Sequence, residues 1–595
     1  MRILFFALSI CLAVGFSFFA ALAGIAAQKL TGFFANRELP LSIRASLGYF
    51  AGAGLFLGIW KLTDAGLKNA RLSVVLTMAI LALLIWKERE SVHRFIREAL
   101  AVPRKGWLVA CWSAVAVWIV VFLYWLSAVN VLNPHSNVGS QAAAKYGGMA
   151  LYMVEHNYVL VVGQHLGQSM FSAAASMILL YPLVHLHCFL AISIFNLCWL
   201  FAGLLSWLGV PERSTGVLTF LLLFGNTALS LVHVWVVDSG SPPFITGNTD
   251  TVFGFATLVG YCLWLHHFLE RQQWTWTRAV LATLVWMASW NITGSQDIPL
   301  VFALLGLLFL WCLRNRPSWL IPVAQATAAL VIGCAILLPV GGMLTPKSLV
   351  ERPGIGLLQD LGDAKLNAWP GLPHFVQGLK FMETGELFQA TPALNADWKK
   401  TSDALSQSRA EGLWIVRGFV LKSWFILESL IWNSVRVLFW PMAALVLHFF
   451  WLRGNYRFVK FPPGAANALG FVTLAFLIAG YVPVLLVRMG LYKWEMTRLL
   501  IPAFLFGAIL QGCVLQEFVM RNFGEEGRWR RALVVATALL TAGPVSTIFL
   551  KICINIIFSL NSHQPKTLDL YFIRQYVFYS SDPTNSAIEG GRGQD

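Results

Sequence analysis

Apolar residues in this chain gather into long, nearly unbroken runs separated by short polar connections. Such runs lie near 3–27, 46–62, 72–86, 107–128, 170–187, 189–209, 214–237, 251–269, 279–293, 298–313, 319–341, 434–452, 465–487, 498–519 and 532–557. A bilayer core asks for about 20 apolar residues per helix. The runs therefore predict an all-α polytopic membrane protein with 13 to 15 transmembrane helices. Ala21-Leu22-Ala23 offers the small-residue pattern of a signal-peptide cleavage site, but the first run is long and many spans follow, so a retained helix is expected. No internal repeat or low-complexity block interrupts the series.

Composition agrees with the pattern. Of 595 residues, 57% are hydrophobic and 12% charged, with mean hydropathy +0.67, against roughly 25% charged in soluble domains. This excludes a string of soluble domains, and it excludes disorder. The nine cysteines fall in or beside apolar runs without a CxxC, which indicates neither a disulfide framework nor a zinc site. The net charge of +15 sits largely in short connections. That is the distribution of cytoplasmic anchors, not of a nucleic-acid-binding face.

Basic connections set the expected orientation. Lys87, Arg89, Arg94, Arg97, Arg104 and Lys105 crowd one of them; Arg314 and Arg316 mark a second. Arg453, Arg457 and Lys460 mark a third, and Arg521, Arg528, Arg530 and Arg531 a fourth. With these in the cytoplasm, 129–168, 342–433, 488–497 and the tail after 558 are external. Three apolar runs then separate 129–168 from 238–250, so these two loops share a side only if one run is re-entrant or lies flat. The expected organisation is spans over 1–341 with external loop 129–168, an external loop with an interfacial helix at 342–433, spans over 434–558, and an external tail at 559–595. The interfacial helix rests on Trp414, Val416, Phe419, Trp424, Phe425 and Leu427 spaced among Arg417, Lys422 and Glu428.

Polar side chains that carry chemistry collect in three places. Residues 133–169 hold Asn137, Glu155, His156, His165 and Gln168, with an amphipathic helix expected over 143–154. The plainer reading is a polar loop lying on the bilayer. The functional one is a surface site with Glu155 or a histidine as base and the amides gripping a polar substrate. Second, Asp238 and Asp250 flank a Gly- and Pro-rich turn. Asp250 can simply favour a helix N-terminus, or the two carboxylates could bind a hydroxyl or a divalent cation. Third, Arg488, Lys493, Glu495 and Arg498 stand at the external mouth of a span. They read as snorkelling anchors or as a grip on a lipid phosphate. So many cations on the outer side favour the phosphate. Asp297, in Gly294-Ser-Gln-Asp-Ile-Pro, is a weaker candidate and is expected in a loop. No GxxxxGK[ST], HExxH or GxSxG occurs.

The helix opening into a polar external loop, the stretch 247–310 beginning GNTDTVFGFATLVGYCLW, and WEMTRLLIPAFLFGAI at 494–509 together resemble the GT-C superfamily of membrane glycosyltransferases. The resemblance is one of layout over most of 107–520. It implies a GT-C-like fold with amphipathic external helices, a polyprenyl-phosphate-linked sugar donor, and a glycan, lipid or protein acceptor of the cell envelope. Transfer would occur on the external face of a bacterial inner membrane. Arg498 and Lys493 would hold the phosphate, with Asn137, His156, His165 and Gln168 toward the substrate. The superfamily's base is an Asp or Glu early in the first external loop, whereas 129–154 contains no carboxylate. Glu155, Asp238 or Asp250 would then take that role. No cofactor is indicated beyond a divalent cation that such carboxylates would accept, no metal ligands are assigned, and no nucleic-acid partner is expected. A non-catalytic membrane subunit, an envelope polymerase or ligase, and a transporter are the alternatives. A transporter would distribute polar groups along its spans, whereas here they are expected in the loops.

Overall fold

The computed structural model describes residues 2–31, 39–128, 150, 153–159, 167–179, 186–225, 249–271, 275–292, 297–338, 438–453, 455–456, 465–486 and 493–523, with the backbone alone at several helix ends. The expected interfacial helix near 412–430, the 342–433 loop around it, the run at 532–557 and the 559–595 tail lie outside the described residues.

Every regular element described is helical, as a bilayer requires when backbone groups must be satisfied within their own segment. In chain order the helices are α1 (Arg2–Leu30), α2 (Leu41–Leu67), α3 (Ala70–Lys87), α4 (Arg89–Leu100), α5 (Arg104–Ala128), α6 (Gly167–Leu179), α7 (Leu186–Trp207), α8 (Glu212–Phe220), α9 (Thr249–Arg271), α10 (Trp276–Ile292), α11 (Asp297–Asn315), α12 (Leu320–Leu337), α13 (Phe439–Val446), α14 (Ala465–Leu486) and α15 (Lys493–Phe523). π-helical turns extend α8 over Leu221–Gly225 and α13 over Leu447–Leu452. Among the described residues, eight helices are long and apolar enough to cross a membrane, those of α1, α2, α3, α7, α9, α11, α12 and α15. The protein is a multi-pass membrane protein. Its helices fall into two compact units: α1–α7 with α9–α12, and α8 with α13–α15.

The first unit is built on α2. Gly48 and Gly52, one turn apart, let α2 lie directly on α1 at Gly24. A Cβ on Gly24 would stand 1.9 Å from the Gly48 carbonyl oxygen, and one on Gly52 would stand 1.7 Å from that of Ala20. Small residues serve this purpose between membrane helices, where dispersion contacts replace the missing hydrophobic drive. Further along α2, Gly54 and Gly58 receive Ser289 and Ala288 of α10. Aromatic rings fill the space around these contacts. Phe16 meets Phe56 edge-on at 4.8 Å, Phe171 of α6 stacks on Phe189 of α7 at 5.4 Å, and Phe50 meets Phe253 of α9 at 5.1 Å. Deeper in, the Tyr49 hydroxyl and Ser193 hydroxyl lie 3.0 Å apart.

The run predicted at 170–187 is described as helix over Gly167–Leu179. Residues 169–177 are buried without a break among α1, α2, α3, α7 and α9. The Phe171–Phe189 stack sets the beginnings of α6 and α7 side by side.

The second unit centres on α15, a 31-residue helix with Pro502 inside it. Leu510 and Val514 of α15 pack with Ala444, Leu445 and Leu452 from α13 and its π-helical turn. Gly507 admits Pro441, and Phe476 of α14 stacks on Phe506 at 5.2 Å. At the far end of α15, buried Glu517 accepts from Arg521 Nε at 2.6 Å, and Arg521 also lies over the Trp451 ring and donates to the Asn455 carbonyl. His448, fully buried, bonds the Tyr456 hydroxyl through Nδ1 at 2.7 Å.

Gly52→Ala should lower stability by about 3 kcal/mol or more, because backbone atoms cannot yield to the new methyl. Gly15→Ala, at a glycine with open space around it, should melt in detergent like the parent. If α6 is re-entrant, single cysteines at positions 155 and 248 of a cysteine-free chain react with an impermeant maleimide from the same side of sealed vesicles. Labelling from opposite sides would make α6 part of a full crossing.

Candidate functional site

α9 and α11 run in the same direction, because α10 returns the chain between them. α11 begins on Asp297 and α9 carries Asp250 as its second residue; in the sequence each acid follows a Gly-polar-polar stretch, Gly247-Asn-Thr and Gly294-Ser-Gln. An Asp in a first turn is stabilised by the amide groups left unpaired there. Asp297 is the first residue of α11 and only 6% exposed. Its carboxylate lies against α9 where Gly254 leaves it room, and a Cβ on Gly254 would come within 1.9 Å of Asp297 Oδ2. Gly254 is one turn beyond Asp250 on α9, so the acid-bearing starts of the two helices adjoin.

The floor beneath this carboxylate is aromatic and rigid. Trp290 of α10 is fully buried and donates through Nε1 to Thr257 Oγ1 at 2.7 Å. The Thr257 hydroxyl in turn donates to the Phe253 and Gly254 carbonyls at 2.7 and 2.9 Å. Tyr261 meets Trp290 at 5.4 Å. Gly54, the central residue of the 27-residue α2, abuts Ser289 near the end of α10. Asp297, expected in a loop, is a buried carboxylate on the first residue of a helix long and apolar enough to cross a membrane. Ionisable groups there mark functional sites.

A second polar region lies at the end of α2. The apolar run there ends at residue 62, yet the helix continues to Leu67 and buries both Lys61 and Asp64. Asp64 Oδ2 accepts from the Val159 amide at 3.2 Å. Beside it, the Asn157 carbonyl and Oδ1 accept from the amides of Ala70 and Arg71 at 3.2 and 2.9 Å. Asn157 takes a left-handed backbone, φ 50°, which Asn tolerates better than most residues. The α2–α3 turn is fixed by its own caps, with Lys68 N donating to the Asp64 carbonyl at 2.7 Å and Asn69 Oδ1 accepting from Leu72 N at 3.1 Å. Residues 157–159 are thus pinned to the α2–α3 turn. They hold in place the helical turn over 153–156, on which Glu155 and His156 are exposed and Met153 is buried.

The candidates named from sequence divide as follows. Glu155 and His156 are adjacent and exposed on that pinned turn. Gln168 lies in the first turn of α6, Asp250 in the first turn of α9, Lys493 at the start of α15 and Arg498 a turn and a half further on, each known from its backbone. Asn137, His165 and Asp238 lie outside the described residues. Lys493 and the residues after it are helical, not the loop at 488–497 that the sequence implies. Lys493 and Arg498 belong to the second unit, Glu155 and Asp250 to the first. Pro502 has no amide hydrogen, so the Arg498 carbonyl four residues before it lacks its helical donor. Among the described residues, no three His, Cys, Asp or Glu side chains come together as a metal site. Lys61, Asp64 and Asp297 show that charged groups do enter the spans, against the expectation that polar groups keep to the loops. Sequence reading missed Lys61 and Asp64 because Lys61 lies within the apolar run and Asp64 just beyond its end at residue 62.

Compared with protein-family models, curated proteins and solved structures, the chain matches none. The GT-C likeness rests on its sequence layout.

The Asp297–Gly254 fit is open to a double-mutant cycle. Gly254→Ala should cost about 1–3 kcal/mol by overpacking. Combined with Asp297→Ala it should cost less than the sum of the two single losses, because they share one contact. Additive losses in detergent melting would remove the carboxylate from this place.

Proposed function

We propose that the protein is an integral membrane glycosyltransferase that moves a sugar from a polyprenyl-phosphate-linked donor to a cell-envelope glycan, lipid or protein. The observation that carries this reading is the buried carboxylate of Asp297 at the start of α11, against the start of α9 where Asp250 sits. A carboxylate in a water-poor setting where two spans begin suits a general base for an acceptor hydroxyl whose partner is anchored in lipid. It also answers the missing acid of the first external loop, since the base can come from the α9 and α11 turns.

In the proposed reaction the acceptor oxygen attacks the anomeric carbon and its proton passes to Asp250 or Asp297. The bond from that carbon to the phosphate oxygen breaks, and the electron pair leaves with polyprenyl phosphate. Within the second unit, the start of α15 is suited to a lipid phosphate, because free amides at a helix N-terminus attract anions and Lys493 and Arg498 add cations. Glu155 and His156, held by the pinned 157–159 segment, suit recognition of the polar acceptor at the membrane surface.

Purified full-length protein given polyprenyl-phosphate-linked sugars should release polyprenyl phosphate, read by lipid mass spectrometry. Asp297→Asn and Arg498→Ala should each slow release by roughly 100-fold or more at unchanged expression and melting temperature. Release at the parental rate in Arg498→Ala would sink the phosphate assignment, and in Asp297→Asn the base.

A further inference from the structure

α4 was expected as a basic connection and is a 12-residue helix, RESVHRFIREAL. One face is apolar and packs onto the unit: Val92 is buried with Ile25 and Ala26 of α1, and Phe95 and Ile96 press against the same cluster beside Leu84 and Ile85 of α3. A neighbouring strip meets cations of other helices. Lys29 Nζ lies 3.0 Å from Ser91 Oγ and 4.0 Å from Glu88, and Arg44 pairs with Glu98. Two of the three carboxylates in this stretch are thereby paired with cations of the protein itself. The outer surface keeps Lys87, Arg89, Arg94, Arg97, Arg104 and Lys105, all exposed, with Glu90 the one exposed acid in 87–105.

The surroundings of this cationic face are apolar. Leu83 and Trp86 precede it and Leu100 follows, at 68, 67 and 72% exposed, and Val109 and Trp112 of α5 stand at 66 and 71%. Arg89 lies over the Trp86 ring at 5.1 Å. Large apolar side chains open to the surroundings on a membrane helix face lipid, and a tryptophan among them marks the headgroup level. A soluble polyanion would meet the cations but not this apolar border. A phospholipid meets both, with its headgroup on the arginines and its chains along α3 and α5.

We infer that α4 is a docking site for anionic phospholipid headgroups of the leaflet on the side of the basic connections. Intramolecular pairing of Glu88 and Glu98 leaves Glu90 as the one exposed carboxylate against six exposed cations, and the apolar face fixes the helix in the interface plane. Arg94 and Arg97 are the central contacts.

The test uses the full chain in detergent with an equimolar mixture of phosphatidylglycerol and phosphatidylcholine, with retained lipid read by native mass spectrometry. The parent should retain phosphatidylglycerol preferentially. Each arginine removed in Arg94→Gln and Arg97→Gln should reduce that preference roughly fivefold, and the double variant should melt like the parent in phosphatidylcholine alone. Arg314→Gln with Arg316→Gln removes equal charge at another basic connection and should leave the preference nearly intact. Unchanged preference in the α4 variants, or an equal loss in the control pair, would overturn the proposal.

Discussion

The first unit depends on how closely α1 and α2 approach. Where Gly24 meets Gly48 and Gly52 there is room for hydrogen and nothing larger. In lipid, two apolar helices gain little from hiding apolar surface, so their association rests on dispersion at short range. Backbone contact maximises that attraction and fixes register. With register fixed, the next turns of α2 present Gly54 and Gly58 to α10, and through α10 the position of the α11 turn is set. The placement of Asp297 is thus a downstream result of the α1–α2 contact.

The two polar regions of this unit solve the same problem in different ways. Lys61 and Asp64 lie close to the end of α2, where Asp64 secures the backbone of a connecting segment. Asp297 lies at the start of a span, where α9 has surrendered a side chain at Gly254 to receive it. Burying a carboxylate costs several kcal/mol unless its partners are good, and a helix start supplies amides suited to the task. The first arrangement ties down a connecting segment. The second brings a carboxylate against the start of a neighbouring helix, and the functional proposal rests on that placement.

Much of this was legible along the chain and some was not. Runs such as 251–269 and 298–313 forecast α9 and α11 closely, because a bilayer imposes one length and one polarity on any segment that crosses it. α4 escaped, since 12 residues of which five are charged resemble a loop until Val92 finds Ile25. Asp250 and Asp297 were each visible as acids at a helix start. Their adjacency was not, because it depends on Gly254, whose empty place is a tertiary fact. The enclosure of α6 was hidden as well: nothing in the apolar run 170–187 shows that residues 169–177 are surrounded by other helices.

That last helix bears on how the protein is made. Its described residues carry serines at 169, 172 and 176 and are buried from 169 to 177, so other helices and not lipid surround them. Those helices are α1, α2, α3, α7 and α9, and α7 and α9 are synthesised after α6. The surroundings of α6 are thus completed by parts of the chain made later than α6 itself.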